Sequence, residues 1–150
     1  FILNGNAPSG SLSIDSTGNV GIGTTAPGAK LEVAGAITAT GSITANGFFY
    51  TSDARLKSDI LRLENSLKTI KKLRGVSFNW EGTNQKDIGL VAQEVEDVFP
   101  ELVTTSNKTG YKSVDYAGLV PVLIEAVKEQ QDEIEALKEK ISEIGYDGKE

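Results

Sequence analysis

The sequence changes character abruptly near residue 50, and any fold for this chain must satisfy two different regimes on either side of that break. The first 50 residues hold only three charged side chains, Asp15, Lys30 and Glu32, but nine of the 16 glycines. Aliphatic residues there alternate with small or polar ones: Leu12 and Ile14, Val20 and Ile22, Leu31 and Val33. Period-two alternation punctuated by glycine predicts short strands joined by turns. Residues 36–47 read AITATG then SITANG, a six-residue near-repeat with Ile37 and Ile43 in one slot and Gly41 and Gly47 closing each unit. So thin a strip cannot cover its own apolar face, and several identical chains wrapping one another is the expected solution. A flexible Gly/Thr/Ala linker is the competing reading of the same composition.

From Ser52 onward, 33 charged residues are spread over the chain and apolar residues take up helical spacing. Leu56, Ile60, Leu63, Leu67 and Ile70 step by four and three, which predicts one amphipathic helix. Lys68, Lys71, Lys72 and Arg74 crowd its last turns, where cations suit the negative end of the helix dipole, and Gly75 is placed to stop it. VSFNW (76–80) reads as a strand with Val76, Phe78 and Trp80 on one side, EGTNQKD as a polar turn, and IGLVA as the returning strand. QEVEDVFP reads as a short helix ended by Pro100, ELVTT and YKSVDY as short strands, and a final helix is expected over about residues 116–144, kinked near its start by Pro121.

That last helix carries a quaternary signal. Val120, Val127, Ile134 and Ile141 recur every seven residues, with Leu123, Gln130, Leu137 and Ile144 three positions after each. Four heptads with β-branched residues at the first core position predict a coiled coil. Glu133 and Lys138 flank the seam where they can pair between parallel chains, and Gln130 supplies a polar layer able to fix register. The periodicity leaves dimer and trimer open.

What the chain lacks narrows its chemistry. It contains no Cys and no His, which excludes disulfides, thiolate sites, cysteine nucleophiles, the Ser-His-Asp triad and almost every zinc or non-haem iron site. No cofactor and no metal are expected. A net charge of -6 offers no basic face for a phosphate backbone, so nucleic acid is not the expected partner. No apolar run approaches membrane-spanning length, and no membrane partner is expected. The chain opens at Phe1 and contains no Met, which predicts a fragment or processed end of a longer polypeptide.

TSDARLKSDI (51–60), VSFNW (76–80), DIGLVAQEVEDVFPELV (87–103) and YKSVDYAGLVPVLIEAVKEQQ (111–131) together closely resemble the peptidase S74 family. This is the intramolecular chaperone and auto-processing domain at the C-termini of phage tail fibres, tailspikes and endosialidases, found also inside a membrane-bound animal transcription factor. GNVGIGTTAPGAKLEVAGAI (18–37) separately resembles the stem sequence that precedes this domain in phage fibres. Pattern and resemblance give an α+β fold class: a β-structured fibre stem end over 1–51, then an α+β chaperone domain over 52–150 that ends in the coiled-coil helix. The resemblance implies a homotrimer acting on its own upstream stem, and self-cleavage that releases the domain once the fibre has folded. It places the stem in the virion tail fibre, assembled in the host bacterial cytoplasm.

The family signature S-D-x-R-x-K falls on Ser52, Asp53, Arg55 and Lys57. The resemblance makes Thr51-Ser52 the scissile bond, Ser52 the nucleophile, and Lys57 the proton acceptor and donor. A lysine shielded from water loses its preference for charge, so the chemistry works without histidine. Taken alone, Ser52 also reads as a helix N-cap and Lys57 as a solvated helix lysine. Five residues on an ideal helix turn well past one full turn, so Ser52 and Lys57 would not share a face. Their pairing needs Ser52 outside the helix, or a lysine from a neighbouring subunit, or both. Glu94 in AQEVE resembles a further family motif and reads equally as an exposed helix carboxylate. The alternative function is a permanent trimeric fibre tip that binds a host-surface receptor and never cuts; a receptor otherwise concerns the mature fibre only. A membrane-tethered transcription factor fits the phage-like stem and the acidic charge less well.

Overall fold

The computed structural model describes residues 11–145, so the first ten residues of the expected stem end lie outside the described part. The chain forms two compact units, one ending at Asp53 and the other beginning at Ala54.

The first unit is a three-stranded sheet, β1 (Leu12–Ile14), β2 (Val20–Ile22) and β3 (Leu31–Val33), with β2 in the centre. β1 runs antiparallel to β2, and β3 parallel to it. The three expected alternating pairs are these three strands. Asp15 makes the β1–β2 turn: its Oδ1 accepts from the Thr17 and Asn19 amides at 2.8 and 2.9 Å, and Gly18 follows with φ +76°. These bonds, led by that from the Asn19 amide, hold the Asp15 carboxyl below its usual range. The register puts Leu12, Ile14, Val20, Ile22, Leu31 and Val33 on one face, and Ser13, Gly21 and Glu32 on the other. Coverage runs opposite to polarity. Ser13 Oγ donates to the Thr24 carbonyl at 2.7 Å and Gly21 is buried, whereas Leu12, Ile14, Ile22 and Leu31 are exposed. The near-repeat after β3 forms no strand, and every residue from 34 to 65 is exposed.

The second unit holds two hairpins, two short helices and one long helix. α1 (Ser66–Ile70) is much shorter than the stripe from Leu56 to Ile70 predicts. Ala54–Leu56 is a single 3-10 turn, and no regular structure joins it to α1. Asp59 and Asn65 sit in the left-handed region, φ +50° and +56°, which a continuous α-helix excludes. Leu56, Ile60, Leu61 and Leu63 have no core to face within this chain and are exposed, so the periodic stripe lacks the packing that stabilises a helix. The helix ends at Ile70, ahead of Gly75.

The β4 (Val76–Asn79) and β5 (Lys86–Gly89) strands form the expected antiparallel hairpin, with the return beginning earlier, at Lys86. Phe78 and Trp80 meet edge to face at 5.2 Å, and Trp80 Nε1 donates to Asp87 at 3.1 Å. α2 (Ala92–Glu96) packs on the second hairpin, β6 (Val103–Thr105) and β7 (Lys112–Val114), and buries Val95 completely. Pro100 opens a 3-10 turn after α2. α3 (Leu119–Glu143) follows a turn from Tyr116 whose amides at Ala117 and Gly118 donate to Asp115 Oδ1 at 3.0 and 3.2 Å. Pro121 falls in its first turn, where a missing amide hydrogen goes unneeded. Gly145, at φ +74°, closes the other end.

Leu119, Val122 and Ala126 form a buried stripe on α3, against which α1 packs. Val120, Leu123, Val127, Ile134, Leu137 and Ile141 form the neighbouring stripe and are exposed, as is Ile144 just past the helix. One helix therefore carries two apolar faces, of which a single chain uses one.

Candidate functional site

Thr51, Ser52 and Asp53 close the first unit in an exposed stretch without regular structure. The Lys57 amide donates to the Ala54 carbonyl at 3.1 Å, closing the 3-10 turn that opens the second unit and carries Arg55. Ser52 thus lies outside any helix, which removes its reading as the N-cap of a long helix. The two members of the expected dyad belong to successive units, and both are exposed.

Beyond Lys57 the exposed segment is tied to α3 by two carboxylates one turn apart. Arg62 Nε lies 2.6 Å from Glu125 Oε2, and Lys128 Nζ approaches the other oxygen, also at 2.6 Å. These bonds, Lys128 first, hold the Glu125 carboxyl below the usual range, and Glu125 in turn raises Arg62. Glu129 then takes the N-terminus of α1: its two oxygens accept from the Ser66 and Leu67 amides, each at 2.8 Å. Asn65, the residue at the cap position, supplies no side-chain cap of its own. A carboxylate borrowed from α3 satisfies those amides and suits the positive end of the short helix.

Glu94 on α2 is neither a free surface carboxylate nor near the sequence neighbourhood of the dyad. It is paired with Arg74: Arg74 Nη2 lies 2.6 Å from Glu94 Oε1, and Arg74 Nε lies 3.1 Å from both oxygens. The Arg74 guanidinium holds the Glu94 carboxyl below its ordinary range. The ion pair joins the end of the α1 region to α2.

The heptad residues fall on one face of α3, and Gln130 is exposed among them. Arg62, Arg74, Glu125 and Glu129 are what a reading of the sequence misses. Apart from Lys128, three residues from Glu125, their partners lie 20 to 63 residues away, and no local spacing marks such a pairing.

Comparisons with known proteins bear on the site. Residues 52–104 match the family Peptidase_S74, chaperone of endosialidase, and the match begins at Ser52. The long tail fiber protein Gp37 of Salmonella phage S16 is 32% identical over 114 residues, which cover 69% of this chain and 15% of that protein. The Gp37 proteins of Enterobacteria phages K3 and T2 are each 33% identical over 108 residues, covering 67% of this chain and 9% and 8% of theirs. The chain thus spans a small part of the length of these relatives. Over residues 52–104 the chain is thus similar to the Peptidase_S74 family, the chaperone of endosialidase.

Proposed function

We propose that this chain is the assembly and self-release segment of a phage tail fibre. Three copies associate through α3, bring three stem ends into register, and then sever the Thr51-Ser52 bond, leaving the stem in the virion fibre. The observation that carries the reading is the second apolar face of α3, which keeps heptad spacing from Val120 to Ile141 and is left exposed among the described residues. The aliphatic face of the β1–β2–β3 sheet supports it, because that face also needs other chains to cover it.

Ser52 Oγ attacks the Thr51 carbonyl carbon while the neutral Lys57 amine takes the hydroxyl proton. The C–N bond breaks, the Ser52 nitrogen leaves with the proton returned by Lys57, and an ester joins Thr51 to Ser52 Oγ. Water hydrolyses that ester, giving a carboxyl terminus at Thr51 and a free amine at Ser52. Lys57 is exposed in the single chain, so neighbouring copies must shut out water before its amine acts as a base. Cleavage then reports assembly.

Temporary attachment has a physical rationale. A low-complexity stem specifies register poorly, and a trimer formed first at one end lowers the entropic cost of aligning three chains. Once the nucleator is gone, an unfolded fibre cannot easily realign, and the fibre becomes kinetically stable.

The test is the refolded full chain followed by intact mass, beside Ser52→Ala and Lys57→Ala. Expected are wild-type fragments ending at Thr51 and beginning at Ser52, with both variants whole and trimeric. A trimeric wild type that stays whole refutes cleavage and favours the permanent fibre tip; a wild type that cuts as a proven monomer refutes the coupling to assembly.

A further inference from the structure

Two of the contacts in the second unit join parts that the self-cleaving reading treats separately: the segment that follows Lys57 and the helix that carries the heptads. On α3, Glu125 and Glu129 stand one turn apart, on the flank that also buries Leu119, Val122 and Ala126. The exposed seam of Val120, Leu123 and Val127 lies beside that flank. Both carboxylates reach the same stretch of chain. Glu125 holds Arg62, five positions after Lys57, and Glu129 holds the amides of Ser66 and Leu67 with both of its oxygens.

Residues 57 to 65 form no regular structure, and each of them is exposed. Ser66, by contrast, is buried, and its amide donates to the Glu129 carboxylate. Rotating or sliding α3 about its own axis therefore carries Arg62, Ser66 and Leu67 with it. The physical connection runs from the seam to the carboxylate flank, then to the tethered segment and the lysine.

We infer that Glu129, with Glu125 and Arg62 as a second fastening, is a positioning residue: it sets where Lys57 sits once three copies of α3 have associated. This rests on the proposed self-cleavage and deepens it by naming how assembly reaches the reacting lysine. In this reading neither carboxylate handles a proton. Each acts through backbone placement, and displacing a reacting group by about 1 Å costs on the order of a hundredfold in rate. Association through the seam needs neither of them, because the heptad side chains lie on the other stripe. Assembly and cutting are thus separable by substitution.

The experiment refolds the full chain from denaturant as wild type, Glu129→Ala, Glu129→Gln and Arg62→Ala. Trimers are selected by size and mass, and the single-turnover cleavage rate is read within them, well below each variant's melting temperature. Expected is an assembled Glu129→Ala trimer that cuts roughly ten to a hundredfold slower than wild type. Glu129→Gln keeps one carbonyl acceptor for the α1 amides and should recover part of the rate. Arg62→Ala alters an exposed side chain that cannot unfold the unit, and should slow cutting several-fold. A Glu129→Ala or Arg62→Ala trimer that cuts at the wild-type rate overturns the inference. So does a loss of cutting that merely tracks a loss of trimer. A wild-type trimer that never cuts removes the self-cleaving reading itself, a result distinct from these and fatal to both.

Discussion

Val127→Ala separates the two apolar faces of α3 quantitatively. Val127 lies on the seam and is 62% exposed, while its neighbour Ala126 lies under α1 and is 4% exposed. The substitution removes two methyl groups, each worth about 0.8 kcal/mol when fully buried. Only the exposed share is left to gain on association, so the loss is about 1 kcal/mol per chain and about 3 kcal/mol for a three-chain layer. That weakens the trimer equilibrium by roughly a hundredfold. Because three chains combine, the subunit concentration at half-assembly should rise by about tenfold. Sedimentation across a dilution series of the uncleavable Ser52→Ala chain reads this directly, with thermal melting of the unassembled chain as the control. The melting of that single chain should hardly move, since Val127 contributes little inside it. Ala126→Leu should do the reverse, overpacking the contact with α1 at about 1–3 kcal/mol. Unchanged assembly in Val127→Ala, or a single-chain loss as large as that of Ala126→Leu, would refute the assignment of faces.

Three further outcomes are expected. Val95→Ala empties a fully buried site between α2 and the β6–β7 hairpin and should cost about 2 kcal/mol in chemical denaturation of the second unit. Gly89→Ala would place a methyl group 2.6 Å from Tyr116 Oη, the atom that accepts from the Leu90 amide at 2.8 Å, and should cost about 1–3 kcal/mol. Glu94 and Glu125 are both held below the ordinary glutamate value of 4.5, so each contributes stability that is present above that value and is lost as pH falls through the lower folded value. Melting temperature should therefore drop below about pH 4.5 more steeply in wild type than in Glu94→Gln, and equal slopes would contradict the Arg74 pairing.

Alternation was enough to locate β1, β2 and β3, because Leu12, Val20 and Leu31 each begin a short run in which a small or polar residue separates two aliphatic ones, a parity visible locally. The hairpin at Val76–Asn79 was legible for the same reason. The stripe from Leu56 to Ile70 misled because spacing says which residues would share a face, not whether a face is there to receive them. Asp59 and Asn65 turn left-handed, and the cap on Ser66 comes from Glu129, far along the chain; neither fact leaves a trace in a local window. The heptads announced α3 and its seam, but not the second stripe of Leu119, Val122 and Ala126. Ser52 and Lys57 became candidates only through resemblance, since each is an unremarked surface residue by its own spacing.

The sheet of the first unit sorts its side chains by parity, aliphatic at 12, 14, 20, 22, 31 and 33 and polar or small at 13, 21 and 32. If three such sheets wrap with aliphatic sides inward, sliding one strand by a single residue drives its Ser13, Gly21 or Glu32 into the dry interior, an error that corrects itself. Sliding by two residues puts one aliphatic in place of another and brings only Ser16, Thr24 or Gly35 into the remaining position, a milder error. An external alignment device need only rule out even-numbered slips, a far smaller task than dictating every pairing along the shaft.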